Sequence, residues 1–283
     1  NISDFNDKAN AILLNNDVEN LLNNNPSSSK FIKKLVGSQE LIKGIERYCL
    51  FIKDSDLNEA VSISAINQRL EKVAEMRRES KAQTTVKRAN TPHKYESISY
   101  NESISIVIPR VSSSRRKYFP AGYVDKDTVV LDSAQAIYDA EAWVFGVLNS
   151  YIHNLWLKTV AGRLKMDCRY SSVLCYNTFP FPLLSTKSKN ELTQTSLRIL
   201  EEREKHPEKT LAQLYDPDKM PEGLKEAHRQ NDLAVEKCYR STPFNSDEER
   251  LEYLFNLYEK MIAEEQAAGT LFALEKKSRK KTK

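Results

Sequence analysis

The first 80 residues carry apolar side chains at spacings of three and four, which is typical of helices with one buried face. In the segment NQRLEKVAEMRRES, for example, Leu70, Val73 and Ala74 recur at this spacing. The segment FIKKLVG ends in Gly37, a residue type that commonly follows a helix. We therefore expect a mainly helical stretch to about residue 80, in which FIKKLVG is a helix that ends at Gly37.

From Lys81 onward the pattern changes to alternation. A polar loop leads into SISIVIPR, where Ile104, Ile106 and Ile108 take every second position, as in a strand. Pro109 is expected to end this strand. The next segment, SSSRRKYFPAGYV, indicates a turn or hairpin, and DTVVLD indicates a further short strand.

The strongest helical pattern lies in DAEAWVFGVLNSYIHNLWLKTVAG, residues 139–162. Asp139 fits the N-cap of this helix, and Gly162 fits its end. His153 is interpreted as a packed or hydrogen-bonded histidine, because no second metal-ligand residue stands at helical spacing from it.

The segment GRLKMDCRYS, residues 162–171, places a charge at every second position. In a single strand, Arg163, Lys165, Asp167 and Arg169 would share one face, because side chains alternate between faces. Two interpretations remain open. The face is either a solvated edge on which Lys165 pairs with Asp167, or a surface that reads another charged molecule.

After Leu184 the chain is again predicted to be helical. Ser188 with Glu191 and Ser246 with Glu249 both fit the capping box that opens a helix. The basic end EKKSRKKTK is expected to be disordered. The predicted fold class is therefore α+β, with a mixed domain over 1–184 (helical to about 80, β-containing over 81–184) and a helical domain over 185–283.

Composition narrows the class of protein. The chain has 283 residues and a formal net charge of +4, and it contains neither a signal-peptide pattern nor an apolar run of transmembrane length. We therefore expect a cytoplasmic protein without a membrane partner. Because the sequence begins with Asn1, we also expect a fragment of a larger chain. Four scattered cysteines predict reduced, mostly buried thiols: Cys49, Cys168, Cys175 and Cys238.

Charge is distributed unevenly. Between residues 81 and 126 there are nine lysines and arginines against three acidic residues. The sequence has no glycine-rich phosphate loop, no serine-nucleophile motif and no histidine pair at metal-binding spacing. We therefore expect these residues to bind rather than to catalyse. Arg77 and Arg78 fit either the negative end of a helix dipole or a phosphate contact.

Several blocks of the sequence resemble one known family. They include GSQELIKGIERYCL, IVIPRVSSSRRKYFPAGYV, GRLKMDCRYSSVLCYNTFPFP and LYDPDKMPEGLKEAHRQNDLAVEKCY. In this order they resemble the carboxyl-terminal half of the MmeI-like, type IIL restriction-modification DNA methyltransferases. That resemblance implies a DNA target recognition domain followed by a helical C-terminal domain, cut from an adenine-N6 methyltransferase that is either a modification enzyme alone or also a restriction enzyme.

The same resemblance implies a cofactor and a partner domain. The family's S-adenosylmethionine motif and its Asn-Pro-Pro-aromatic motif are absent from these residues. The cofactor is therefore expected in a methyltransferase domain of the same parent chain, and this chain is expected to bind no cofactor and to be catalytically silent. Its other expected partner is double-stranded DNA.

The resemblance also assigns roles to individual residues. Lys165, Asp167 and Arg169 correspond to positions that contact bases. Lysine or arginine can donate to guanine O6 and N7, and aspartate can accept from the cytosine amino group. Candidates for phosphate contacts are Arg110, Arg115, Arg116, Lys117, Arg163 and either Lys87 or Arg88, with a structural role open for Arg163. The alternative function is a helical protein-interaction scaffold with nonspecific affinity for nucleic acid.

Overall fold

The structure, a computed structural model, describes residues 12–95, 100–164 and 167–280. Its mixture of helices and short sheets confirms the predicted α+β class. The chain forms two compact units. The first unit consists of Asn1–Pro109 and Gly122–Asp139, and the second consists of Arg110–Ala121 and Ala140–Lys283. The division into domains at residue 184 stays a prediction.

Among the described residues, the first unit contains five short or medium helices. They are α1 (Asn15–Asn24), α2 (Ser38–Lys43), α3 (Leu57–Ser62), α4 (Ser64–Arg78) and α5 (Gln83–Lys87), with 3-10 turns at Pro26–Phe31, Asp54–Asp56 and Arg88–Asn90. Buried Ile66, Leu70 and Val73 line one side of the longest helix, α4, as the helical spacing predicted.

The described strands of the first unit form two sheets. The strands are β1 (Ile12–Leu13), β2 (Ile32–Val36), β3 (Tyr48–Leu50), β4 (Ser105–Pro109), β6 (Gly122–Val124), β7 (Thr128–Val130) and β8 (Ala134–Tyr138). In the four-stranded sheet the order is β1-β3-β2-β7, and of these strands β2 and β7 run parallel to each other; the three-stranded sheet is antiparallel with the order β6-β4-β8.

Two predictions for the first unit were wrong in detail. FIKKLVG forms strand β2 instead of a helix, because Leu35 and Val36 pair with Val129 and Val130 of β7, far away in sequence. The alternation of isoleucine with other residues is typical of a strand with one solvent-exposed face, but all of β4 is buried. Ile104 precedes β4 and is 63% exposed.

The predicted helix over 139–162 is divided into two in the second unit. Asp139 is not its N-cap but a residue with a positive φ of 52°. The helices are α6 (Ala142–Leu148) and α7 (Tyr151–Val160). The division falls at Ser150, whose side chain accepts a hydrogen bond from the His153 backbone amide and so caps α7.

The remaining helices pack on α6 and α7 around a core that contains Trp156, Phe179 and Val235. Ser185, three residues before the predicted Ser188, is the cap of α8, whereas Ser246 accepts from the Glu249 amide as predicted. These helices are α8 (Thr186–Glu204), α9 (Leu211–Leu214), α10 (Glu222–Tyr239) and α11 (Asp247–Lys280), the last of which includes much of the segment predicted to be disordered. Within the described residues, no helix is long and apolar enough to cross a membrane.

Candidate nucleic-acid interface

GRLKMDCRYS forms a hairpin and not the single strand that the alternation predicted. Strand β9 (Gly162–Leu164) runs antiparallel to β10 (Asp167–Arg169), with Leu164 opposite Asp167 and Gly162 opposite Arg169. Strand β5 (Val111–Ser112) pairs with the other edge of β10, which gives the sheet order β5-β10-β9. The positions of Arg163, on β9, and of Asp167 and Arg169, on β10, therefore do not belong to one strand.

Asp167 and Arg169 occupy alternate positions of β10 and share one face of the sheet. Asp167 is half-buried and Arg169 is exposed. Neither forms a hydrogen bond or ion pair with any side chain that the structure describes. Lys165, the third predicted base-reading residue, lies outside the described residues, so its predicted pairing with Asp167 stays untested. Because Arg163 stands opposite Cys168 in the register, its position does not belong to the row of Asp167 and Arg169.

A buried aromatic layer supports β10. Cys168 and Tyr170 are almost completely buried, and the Tyr170 ring lies 5.5 Å from that of Phe119. The Tyr170 amide donates to the Arg110 carbonyl at 2.7 Å, which continues the pairing beyond β5. Alternation along β10 thus places two charged side chains on one face and anchoring side chains on the other.

His153 of α7 lies behind this layer, as a packed histidine and not a metal ligand. Its Nδ1 lies 3.0 Å from the Leu148 carbonyl, and its Nε2 lies 3.4 Å from the Tyr170 hydroxyl. A carbonyl can only accept, so Nδ1 carries the proton and Nε2 accepts from Tyr170. Burial lowers the pKa of His153 to about 4, which keeps the ring neutral at pH 7. Burial also raises the pKa of Tyr170 well above its usual value.

Arg115 and Arg116 follow β5 and differ in their environment. Arg115 is exposed, and its guanidinium lies 2.8 Å from the Asp218 carboxylate. Arg116 is half-buried and donates from Nη1 to the Ser112 hydroxyl at 3.0 Å. Burial lowers the pKa of Arg116, and Asp167 is the acid that opposes this shift most. The Arg116 guanidinium therefore interacts electrostatically with Asp167.

Two other phosphate candidates, Arg110 and Lys117, lie on the same segment. Arg110 is half-buried, and its backbone belongs to the pairing described above. Lys117 is exposed, and its ammonium lies 5.2 Å from the Tyr118 ring centre and 5.3 Å from that of Tyr151. Cation–π contacts of this kind hold the lysine stem while leaving its charge accessible.

Sequence reasoning missed a buried polar network that fixes this segment to the helices. The Tyr118 hydroxyl donates to the Asp232 carboxylate at 2.7 Å, and the Tyr151 amide donates to the other oxygen at 2.7 Å. Burial raises the pKa of Asp232 to about 6. The Tyr118 ring also stacks on His228, with ring centres 4.0 Å apart. No local motif marks these residues, because the network joins side chains more than 80 positions apart.

A buried arginine stabilises the end of the same segment. The Arg203 guanidinium donates to the Ala121 carbonyl at 2.7 Å and to the Tyr215 hydroxyl from Nε at 2.9 Å. Tyr215 in turn lies 2.7 Å from His228 Nε2. Residues 110–121 are therefore fixed by Asp232 in the middle and by Arg203 at the end.

The comparisons with known proteins agree with the expected resemblance. Residues 3–183 match the family model described as "MmeI, target recognition domain", and residues 184–265 match the one described as "MmeI, C-terminal domain". The chain belongs to the MmeI family. This confirms the family predicted from the sequence, and it does not favour the alternative of a protein-interaction scaffold.

Two relatives of this MmeI-family chain are informative. DNA methyltransferase A of Bacillus subtilis (strain 168) is 44% identical over 240 residues, which cover 85% of this chain and 27% of the relative. The structure of the type IIL restriction-modification enzyme MmeI in complex with DNA is 34% identical with a TM-score of 0.84, and the match covers 92% of this chain and 34% of that one. The MmeI-family chain therefore spans about a third or less of the length of these relatives.

Three of the described glycines lie against protein side chains. A Cβ on Gly37 would meet Ser133, one on Gly146 would meet Ser196, and one on Gly223 would meet Glu202, whereas one on Gly162 would meet nothing within 4 Å. The described residues contain no group of three histidine, cysteine or acidic side chains that could hold a metal ion.

Proposed function

We propose that this chain reads a specific sequence of double-stranded DNA for an adenine-N6 methyltransferase, and that the β9–β10 hairpin carries the reading. The observation behind the proposal is the row of Asp167 and Arg169, which faces away from a buried aromatic layer in a chain that matches a target recognition domain. A hairpin supported in this way can hold donors and acceptors toward base edges in the major groove.

The predicted set supplies hydrogen-bond groups for both members of a G·C pair. Lys165 and Arg169 supply donors for guanine O6 and N7, and Asp167 supplies an acceptor for the amino group of cytosine. One such contact is typically worth about 1 to 3 kcal/mol of discrimination against a wrong base. A lysine and an aspartate two positions apart therefore suffice to read both members of one G·C pair.

Backbone phosphates fix the register of the hairpin on the duplex. Lys117 and Arg115 are the most accessible candidates, whereas Arg116 is half-buried. Arg110 and Arg163 remain candidates for the same role. Phosphate contacts position a protein without reading sequence, so substitutions here weaken binding to every duplex alike.

The methyl transfer itself belongs to another part of the parent chain. One relative is described as a DNA methyltransferase, and the chemistry of this class uses S-adenosylmethionine as methyl donor. Because the family's S-adenosylmethionine motif is absent from the given sequence, we assign the donor to a methyltransferase domain of the same parent. The helical C-terminal domain, from residue 185, is then the element that completes the DNA-binding half.

The test exchanges the hydrogen-bond donor at residue 165 with the acceptor at residue 167. In the full-length parent, Lys165→Glu with Asp167→Arg should preserve methylation but invert one G·C pair of the methylated motif to C·G. Each single change should lose most methylation, because one donor or acceptor then faces an unsuitable edge. The motif is read by methylome sequencing of cells that express each variant.

A matched control swaps a charge pair elsewhere. Glu222→Lys with Lys225→Glu exchanges an exposed ion pair on α10 and should leave the motif unchanged. An unchanged motif with full methylation in the Lys165/Asp167 double variant would show that the charged row of the hairpin is only a solvated edge.

A further inference from the structure

A second basic surface lies on the first unit, in the segment that we call the basic loop, residues 78–94. The segment contains five lysines and arginines and one acidic residue, Glu79. It runs from the end of α4 through α5 and the 3-10 turn at Arg88–Asn90. The question is whether this loop is a mobile solvated stretch or a built surface.

Arg77, at the end of α4, holds the loop in one conformation. Its side chain is 6% exposed, and Nη1 donates to the carbonyls of Arg88 at 3.0 Å and Thr91 at 2.9 Å. Nη2 donates to the carbonyl of Lys94 at 2.8 Å. Both sequence interpretations of Arg77 were thus incomplete, because its guanidinium satisfies three backbone acceptors of the following loop and is not accessible to a ligand.

Asp54 fixes the far end of the same loop. One carboxylate oxygen lies 2.7 Å from His93 Nε2, and the other accepts from Lys94 Nζ at 2.6 Å. The Tyr95 hydroxyl then donates to the Leu50 carbonyl at 2.9 Å. The loop is therefore attached at several points, by the buried side chains of Arg77 and His93 and by the exposed ion pair of Asp54 with Lys94.

Three exposed cations of the loop have no partner among the described residues. Arg78, Lys81 and Lys87 are exposed, and none of them forms an ion pair or hydrogen bond with the side chains that the structure describes. Gln83, Thr84 and Asn90 are exposed beside them and add neutral donors. A fixed backbone with unpaired cations and amide or hydroxyl groups has the composition of a phosphate-contacting surface.

We infer that the basic loop binds backbone phosphates of duplex DNA, through Arg78, Lys81 and Lys87, and that Arg77 is its positioning residue. The inference rests on the proposed function, since it assumes that duplex DNA is the partner. It adds a contact surface on the first unit to the hairpin surface on the second. The loop contributes affinity and register, since contacts to backbone phosphates position a protein without reading sequence.

The experiment measures affinity for a random-sequence 30-base-pair duplex by fluorescence anisotropy at a series of salt concentrations. The variant Arg78→Ala, Lys81→Ala, Lys87→Ala should bind more weakly, and the slope of log affinity against log salt should shrink by up to about 3 units. The control Lys43→Ala, Lys53→Ala, Lys72→Ala removes the same charge from exposed positions of the same unit and should keep the slope.

Different failures point to different causes. If the unaltered chain binds the duplex without any salt dependence, the proposed function is wrong. If it binds with a steep slope and both triple variants keep that slope, DNA binding stands but the basic loop takes no part in it. Three single alanine variants, each expected to remove about one unit of slope, guard against misfolding of the triple variant.

Discussion

The two charged surfaces of this protein are held in place by opposite means. The β9–β10 hairpin carries Asp167 and Arg169 over an aromatic layer of Tyr170, Phe119 and His153. The basic loop is fixed mainly by hydrogen bonds that Arg77 donates to its carbonyls and that Asp54 accepts from Lys94. Reading a base requires a side chain held within a few tenths of an ångström, and burying large rings against the backbone provides that rigidity.

A phosphate contact tolerates more freedom. The charge on a phosphate attracts a cation over several ångströms, so a loop whose own carbonyls are satisfied is ordered enough for that task. Under the proposed function, the support of each surface matches the precision that its contact needs. Three measurements test this difference.

The largest expected effect is on the support of the hairpin. Tyr170→Ala should lower the free energy of unfolding by about 3 to 5 kcal/mol, because it opens a cavity where a ring was buried. Tyr170→Phe is the control and should cost less than about 1 kcal/mol, since only the weak 3.4 Å contact to His153 is lost. Urea denaturation followed by circular dichroism measures both. Equal, small losses would mean that the ring does not support the strand.

The second measurement uses acid to separate the two surfaces. His153 has a folded pKa of about 4 and an ordinary pKa of about 6.5, so the unfolded state takes up the proton first. Stability from this group is therefore complete above pH 6.5 and is lost as the pH falls toward 4, by up to about 3 kcal/mol. His228, whose pKa burial lowers well below the ordinary value, adds to the loss.

Asp232 acts in the opposite direction. Its folded pKa of about 6 exceeds the ordinary value, so the contribution of this group to stability falls as the pH rises from about 4 to 6. Asp232→Asn should consequently make the acid loss steeper. The guanidinium of Arg77 does not titrate in this range. Hydrogen exchange at pH 5, corrected for intrinsic rates, should accelerate at the Tyr170 amide and remain unchanged at the Lys94 amide; a similar acceleration at both would contradict the comparison.

The smallest effect is expected at the basic loop. Arg77→Met leaves three buried or half-buried carbonyls without their donor, which costs about 1 to 3 kcal/mol. The change should appear as faster exchange and easier tryptic cleavage within residues 81–94, with little change around β10. Arg78→Met on the same helix is exposed and should stay within about 0.5 kcal/mol of the unaltered protein. Global unfolding in the Arg77 variant would show that it supports more than the loop.

The sequence predicted the fold class and the family, but it placed the site only in part. The helix α4 and the apolar strand IVIP could be predicted, because the pattern that indicates each one lies within its own residues. The strand IKKLV was not, because its parallel partner β7 lies more than 90 residues away. The hairpin was missed because the two residues between β9 and β10, Lys and Met, are not turn formers such as Asn-Gly.

One local signal was available and was not used. Asn149-Ser150 in the middle of the predicted helix is a typical N-cap dipeptide, and Ser150 indeed caps α7. Arg77, Asp232 and Arg203 could not have been assigned from sequence, since each acts on a partner that only the fold brings near. In the sequence, such buried polar residues look like ordinary surface residues until their hydrogen-bond partners are known.

The alternation along β10 has a consequence for how this family can diversify. Cys168 and Tyr170 carry the packing, whereas Asp167 and Arg169 form no hydrogen bond or ion pair with a described side chain. Under the proposed function, a replacement on the outward row changes the base that is read while leaving the scaffold almost as stable as before. Mutations at these two positions would then carry little of the folding penalty that restricts the rest of the strand, so new specificities would arise without an unstable intermediate.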